Sequence, residues 1–307
     1  MPKLRYVAKN FRPKSLGLIT KCNDIILAYQ AQGLDLTLRQ LYYQLVSRDI
    51  IPNNAKEYNN LGATIGDARL AGLVDWEAIT DRTRNLRNLS HWTTPESIIE
   101  TCARTFQLNL WAKQENYVEV WIEKDALVGV IEGVCEELDV PHFSCRGYTS
   151  LSEMWAAGMR LIYQAKQQKN ITILHLGDHD PSGIDMTRDI RDRLEMFMCQ
   201  HKARLNVNRI ALNMPQVEQY NPPPNFAKAT DARFRSYQEE FGDDCWELDA
   251  LEPTVMIDLI RTEVTALIDD EKWQESVDEQ REHRRNLQNI SDRYDDVIEY
   301  VNDGGQA

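Results

Sequence analysis

Ile171-Thr172-Ile173-Leu174-His175-Leu176 runs directly into Gly177-Asp178-His179-Asp180-Pro181-Ser182-Gly183. The first six residues, apolar or β-branched except for one histidine, read as a buried strand; Pro181 suits the first position of a helix. The strand therefore ends on two acids just before a helix begins. An earlier stretch has the same grammar. Tyr117-Val118-Glu119-Val120-Trp121-Ile122-Glu123 is a strand candidate that also ends on an acid. A helix near 126–138, a short strand around 142–145 and a helix at about 151–168 follow it, and another strand candidate lies near 207–212. This alternation predicts an α/β domain with a parallel sheet over roughly residues 110–255. In an open sheet of that kind, functional groups collect beyond the carboxyl ends of the strands.

Upstream the pattern is helical. Residues 15–33 carry Leu18, Ile19, Cys22, Ile25, Ile26 and Tyr29 at helical spacing, with Ser15 as the expected N-cap and Gly33 as the stop. Thr37 and Gln40 fit a capping box for a second helix, which Pro52 and Asn53-Asn54 break. A third helix is expected over 57–71, followed by β-prone segments around Trp76 and Ile79 that suggest a hairpin. Three short helices and a hairpin within residues 1–95 suggest a helix-turn-helix or winged-helix module; a small helical bundle that binds nothing fits the same pattern. Asn221-Pro222-Pro223-Pro224 reads as a stiff connector. Residues 256–307 read as an acidic, largely helical tail, with 21 acids against 6 bases from Glu239 onward.

Charge supports this division. The chain has 307 residues and a formal charge of −13. Residues 1–95 hold 13 bases and 8 acids, whereas residues 96–307 hold 22 bases and 40 acids. A basic front joined to an acidic remainder predicts that one end meets a polyanion. No apolar run approaches the roughly 18–20 residues of a membrane span, and no apolar segment follows the basic N-terminus as a signal peptide would require. A cytoplasmic, nucleoid-associated protein is expected. The six cysteines are scattered without a C-x-x-C pair, which argues for reduced, structural thiols and against zinc. The sequence contains neither G-x-x-x-x-G-K-[ST] nor G-x-G-x-x-G, so no nucleotide-phosphate cradle is recognisable.

The acids at the strand ends carry the chemistry. Extended backbone over 178–180 aims Asp178 and Asp180 to one side and His179 to the other. Together with Glu123 they form three mutually repelling carboxylates, for which a hard divalent cation is the usual remedy. Oxygen-only ligands favour Mg²⁺ or Mn²⁺. Amides at the start of the helix opened by Pro181 are placed to receive phosphate.

Trp121-Ile122-Glu123-Lys124 and Leu176-Gly177-Asp178-His179-Asp180-Pro181-Ser182-Gly183 resemble the Glu and D-x-D-P-x-G motifs of Toprim domains in topoisomerases and primases. The version nearest to these motifs is that of the topoisomerase VI A subunit and the related meiotic double-strand-break transesterase. In that family a winged-helix (CAP-like) domain carrying a nucleophilic tyrosine precedes a Rossmann-like Toprim domain, with a signature resembling R-[DE]-x-[YF]-Y. Arg39-Gln40-Leu41-Tyr42-Tyr43 stands at the corresponding place and departs from the signature at Gln40. The resemblance covers roughly residues 35–250, and the chain length is similar to that of the short, standalone Mini-A members.

What the resemblance implies is DNA cleavage by transesterification. Tyr43 attacks a phosphodiester and leaves a 5′-phosphotyrosyl link and a 3′-hydroxyl, while Glu123, Asp178 and Asp180 hold the metal. It further implies a homodimer on double-stranded DNA, with the tyrosine of one subunit working with the metal of the other. A separate ATP-binding B-type subunit would be needed for strand passage. Helix geometry selects the same tyrosine. Tyr42 falls on the apolar stripe of Leu38, Leu41 and Leu45, whereas Tyr43 falls on the opposite flank beside Arg39. A neighbouring guanidinium is expected to favour the phenolate and to hold the scissile phosphate. The plainer alternative is that both tyrosines pack a helix interface.

Other residues have weaker readings. Arg69, Arg82, Arg84 and Arg87 are expected either to track DNA phosphates or to form a solvated basic face. Lys124 would contact phosphate or neutralise nearby acids. Arg146 and Ser150–Ser152 are expected in a loop at a strand end. Glu247 and Asp249 read either as a second acidic element near the metal or as a strand-end cap. Arg281, Arg284 and Arg285 read as an exposed helix face. Two rival functions remain at this level. One is a Toprim nuclease that uses water in place of tyrosine, as in Wadjet-type defence nucleases; the other is a non-catalytic DNA-binding subunit.

Overall fold

The structure, a computed structural model, describes residues 3–34, 36–79, 89–199, 204–226 and 233–304. The chain opens with three helices, α1 (Pro13–Gln30), α2 (Leu38–Ser47) and α3 (Ala55–Leu70). Next come α4 (Pro95–Thr105), β1 (Asn116–Ile122), α5 (Val128–Glu137), β2 (His142–Ser144) and α6 (Leu151–Lys166). Then follow β3 (Asn170–Leu176), α7 (Pro181–Met198), β4 (Leu205–Ala211), α8 (Met214–Tyr220), β5 (Asn225–Phe226), α9 (Phe234–Phe241) and β6 (Asp244–Cys245). The chain ends with α10 (Pro253–Thr265), α11 (Asp270–Asp292) and α12 (Tyr294–Asn302). It divides into two units, one of residues 1–84 and 118–265, the other of residues 85–117 and 266–307.

In the first unit α1, α2 and α3 pack around Cys22, Ile26, Leu41, Leu45, Leu61 and Ile65, all buried. The Thr37–Gln40 capping box is present, with each side chain bonded to the other's backbone. At the first helix the expectation is corrected. Its cap is Arg12 with Pro13 at the first turn, because proline there loses no hydrogen bond, and the helix starts two residues before Ser15. The hairpin expected around Trp76 and Ile79 runs into residues 80–88, which lie outside the described residues; the described part forms isolated bridges, Arg5 to Ala71 and Leu36 to Ile79.

The same unit contains a four-stranded parallel sheet in the order β2-β1-β3-β4. β1 and β3 are buried from their second residue onward, as central strands covered on both faces require. Helix α5 packs against α10, and α6 packs against α7. The chain leaves β1 toward β2 on one side and later returns to place β3 on the other. The crevice between the carboxyl ends of β1 and β3 is therefore the topological switch point. Glu123 follows β1 and Asp178–Asp180 follow β3, so the strand order delivers both acidic motifs there. An ion pair ties β1 to α6, where the exposed Arg160 donates to both oxygens of the buried Glu119 at 2.8 and 2.9 Å.

In the second unit α4 packs against α11. Phe106 lies 5.5 Å from the His283 ring and Trp111 lies 5.8 Å from Trp273. Arg284 donates to the Phe106 carbonyl at 2.7 Å, so this member of the arginine run is partly engaged. Gln114 is bonded in both directions to the Asp269 backbone.

Candidate active site

The turn after β3 is held from several directions. His179 pairs its backbone with Trp246 in both directions, at 2.8 and 2.9 Å, which brings Glu247 alongside. Its ring faces away from the acids and packs among Tyr237, Phe241 and Trp246, with Nδ1 2.8 Å from the Tyr237 hydroxyl. Asp180 caps α7, its Oδ1 accepting from the Gly183 amide at 2.6 Å. Only glycine fits at 183, because a Cβ there would lie 2.1 Å from the Asp178 carbonyl oxygen. At Gly177 a Cβ would lie 2.9 Å from the Glu123 carboxylate. The two glycines thus allow the turn to close and the carboxylates to approach. From β4 the buried guanidinium of Arg209 donates to the carbonyls of Gly177 and Gly183, at 2.9 Å each, and to that of Asp178. Sequence reading missed Arg209; its role depends on a register between β3 and β4 that no local pattern encodes.

A cavity of about 690 Å³ opens beside this turn. Arg39, Tyr42 and Tyr43 of α2 line it, together with Glu123, Lys124, Asp178, Asp180 and Glu247. Asn53, Tyr58 and Asn225 complete part of the wall and were not singled out from the sequence. Asn225 reaches the site only because β5 pairs with β6, a contact between residues far apart in the chain.

The charges are closely interlocked. The Lys124 ammonium lies 2.8 Å from Asp178, 3.0 Å from Glu247 and 2.7 Å from Asp249. Arg39 pairs with Glu247 and lies 3.5 Å from Asp249. Burial opposes the charge on Lys124, but Asp178, Asp249 and Glu247 outweigh it and raise the pKa above the usual lysine range. Lys124 therefore neutralises the nearby acids in this structure. Glu247 and Asp249 are neither isolated nor strand-end caps; they are the counter-anions of Arg39 and Lys124. Burial raises the Glu247 pKa, but Lys124 and Arg39 reverse the effect and hold the carboxyl below its ordinary value. Glu123 behaves differently. Burial, then repulsion from Asp178, pushes it up to about 7, while its Oε2 accepts from the Asp178 amide at 2.8 Å.

Two expectations about Tyr43 are corrected. It is 4% exposed, as is Tyr42, so both phenol rings are packed rather than divided between core and open flank. The reason is that α2 lies between the front helices on one side and the 245–251 segment on the other. The Tyr42 hydroxyl donates to Asn53 at 2.9 Å, whereas the Tyr43 hydroxyl accepts from Asn225 at 3.4 Å and borders the cavity. Arg39 stands 5.8 Å from the Tyr43 ring centre, but its charge is shared with Glu247 and Asp249. Burial, with Glu247 adding to it, pushes the Tyr43 phenol up to about 12. The neutral phenol is favoured here, not the phenolate.

Arg69 is likewise turned from its expected role. Its guanidinium donates to the carbonyls of Trp76 and Ile79 and stacks over the Trp76 ring, closing the end of α3 rather than facing a groove. Arg82, Arg84 and Arg87 lie outside the described residues. Arg146 forms an exposed ion pair with Asp125 at 3.1 Å, and Ser150 caps α6.

For a divalent ion, the donor chemistry fits and the arrangement does not. Glu123, Asp178, Asp180, Glu247 and Asp249 supply only oxygen, which suits Mg²⁺ or Mn²⁺. Among the described residues, however, no three His, Cys, Asp or Glu side chains are grouped to hold a metal. Asp180 is used as a cap, and Asp178 Oδ1 is taken by the Leu248 amide at 2.7 Å and by Lys124. No helix among the described residues is long and apolar enough to cross a membrane. No protein-family model matches the chain, and no curated protein matches it either.

Proposed function

We propose that this chain cleaves DNA phosphodiesters at the cavity between α2 and the carboxyl ends of β1 and β3, with Tyr43 as the attacking group. One observation carries this reading. Residues from separate stretches of sequence, Arg39 and Tyr43, Glu123 and Lys124, Asp178 and Asp180, line a single cavity. In the step proposed, the Tyr43 phenol gives up its proton and its oxygen bonds to phosphorus. The P–O3′ bond breaks, and O3′ takes up a proton, leaving a 5′-phosphotyrosyl link and a 3′-hydroxyl. Arg39 and Lys124 offer positive charge to the phosphate once it competes for them with Glu247 and Asp249. The family resemblance implies a tyrosine working with a partner's carboxylates. Here both groups come from one chain, and the reading needs no second subunit to complete the cavity.

The wider attributes belong to the same proposal. They are the winged-helix and Toprim character of the two halves, kinship with topoisomerase VI A subunits, and a separate ATP-binding partner for any strand passage. Mg²⁺ or Mn²⁺ enters on donor chemistry alone, and its binding is measurable directly through the Mn²⁺ electron paramagnetic resonance signal.

A hydrolytic reading is favoured by one feature, the burial that holds Tyr43 as a neutral phenol. In that case water attacks and Tyr43 only shapes the wall. Supercoiled plasmid incubated with Mg²⁺ or Mn²⁺, with and without protease before electrophoresis, separates the two. Transesterification gives cut DNA that enters the gel only after proteolysis, and Tyr43→Phe abolishes it. Cleavage that survives Tyr43→Phe without a trapped adduct leaves hydrolysis standing. No cleavage under any of these conditions removes both.

A further inference from the structure

Within the second unit, α4 and α11 border a groove of about 610 Å³ whose lining shares no residue with the cleavage cavity. Four arginines line it, Arg104 from α4 and Arg281, Arg284 and Arg285 from α11, against a single acid, Glu100. Helical spacing puts the three α11 arginines on one face, within about 6 Å along the axis. Like charges three and four residues apart weaken a helix. These arginines sit near the middle of α11, away from the last turn where the helix dipole favours cations.

The chain itself answers little of this charge. Arg281 pairs with Asp278 at 2.8 Å, and both side chains are exposed. Arg284 donates its Nε to the Phe106 carbonyl at 2.7 Å, which fixes the side chain. Its two terminal nitrogens make no hydrogen bond among the described residues. Arg104 and Arg285 form neither a hydrogen bond nor an ion pair among the described residues.

We propose that this groove binds a compact anion carrying two linked phosphoryl groups. Charge complementarity is the first argument. Guanidinium groups present planar forks that match phosphate edges, and two forks on each phosphoryl group account for all four arginines. Size is the second argument, since the groove falls in the roughly 300–1,000 Å³ range of small-molecule sites. The surroundings select against a long polyanion. Residues 266–307 hold 12 acids and 5 bases, and the arginines are flanked by Glu275, Asp278 and Glu279 on one side and Asp292, Asp295 and Asp296 on the other. A nucleic-acid strand laid along α11 would meet those acids within a Debye length of about 8–10 Å, whereas a compact anion stays among the arginines.

This inference does not depend on the cleavage reading. Calorimetric titration of the full chain with pyrophosphate, in Mg²⁺-free buffer of low ionic strength, should show a site with Kd below about 1 mM. Sulfate at matched ionic strength should bind at least about tenfold more weakly, because it offers one tetrahedral group to four forks. Arg104→Gln and Arg285→Gln, at exposed and unpaired positions, should each weaken pyrophosphate binding at least about tenfold while leaving the circular dichroism unchanged. Lys21→Gln, at an exposed base on α1, should leave the affinity as it is. ADP is the second probe. An affinity equal to or above that of pyrophosphate assigns the groove to a nucleotide diphosphate, a lower one to the free diphosphate, and either supports the proposal. No pyrophosphate binding up to about 10 mM, or binding indifferent to both arginine substitutions, overturns it. So does a duplex oligonucleotide that binds through Arg104 and Arg285 and is not displaced by pyrophosphate, since the surface would then track DNA backbone. Cleavage or its absence in the plasmid assay bears on none of these outcomes.

Discussion

Burial of the Tyr43 phenol beside Glu247 determines how transesterification must depend on pH. With a pKa pushed up to about 12, the phenolate fraction grows about tenfold for each pH unit through the neutral and mildly alkaline range. If Tyr43 attacks as phenolate, initial rates of adduct formation should rise nearly tenfold per unit between pH 7 and 9. A flat profile over that range would show that the phenol reacts without prior ionisation. Lys124 poses a separate residue-level question. Its ammonium is shared by Asp178, Glu247 and Asp249, so Lys124→Met leaves Asp178 without its ion-pair partner and Glu247 and Asp249 with Arg39 alone. Uncompensated buried charge of this kind costs about 3 kcal/mol, read as a lower urea midpoint. The same variant should bind Mn²⁺ more tightly than wild type, because a tethered competitor has gone. Unchanged Mn²⁺ affinity would show that Lys124 does not occupy the ion's place.

At the scale of strands and helices, the β3–α7 connection contains two histidines kept neutral. His175 is buried on β3, with Nδ1 2.8 Å from Thr187 Oγ1, and burial pushes its pKa down to about 3. His179, in the turn, is pushed down to about 4, also chiefly by burial. Both titrate near 6.5 when unfolded, so the unfolded chain binds more protons as pH falls from 6.5 and stability is lost toward pH 4. Glu123 works the other way. Its folded pKa of about 7 lies above the ordinary 4.5, so its contribution improves as pH falls from 7 to 4.5. Two histidines against one glutamate make the net effect of these three groups a loss of stability as pH falls from 6.5 to 4.5. Urea unfolding at stepped pH should show this acid limb, and a midpoint that rises toward pH 4.5 would contradict it.

These elements also show what was legible in the sequence. Runs of mostly apolar and β-branched residues announced β1 and β3, the capping box announced α2, and the acids after each strand marked carboxyl ends where functional groups collect. Local signals carried that much because each is a property of a few adjacent residues. The charge partners of Arg39 and Lys124 were not legible as such, nor was the Arg209 clasp. Glu247 lies more than two hundred residues from Arg39, and only the pairing of His179 with Trp246 brings it across. The burial of Tyr43 was missed for the same reason. A helical wheel shows which residues share a face, not how many faces later segments will cover.

For the molecule as a whole, the acidic tail is not an appendage of its own. Its long helix α11 belongs to the same unit as α4, which precedes the sheet in sequence, so that unit is assembled from two stretches separated by the entire sheet domain. Helix α4 has 11 residues, too few to persist alone in water. What supports it is the apolar and polar contact with α11: Phe106 against His283, Trp111 against Trp273, and the Arg284 guanidinium on the Phe106 carbonyl. Ending the chain at Thr265 removes these partners together. Far-ultraviolet circular dichroism should then lose the 23 residues of α11 and the 9 of α12, and with them the 11 of α4. The other unit keeps its own buried cores around Leu41 and Leu61 and around β1 and β3, so a cooperative urea transition should persist. If the helical signal falls only by the share of α11 and α12, α4 is stabilised by something other than the tail. If the cooperative transition disappears as well, the tail supports the folding of the sheet domain and the two units do not fold independently.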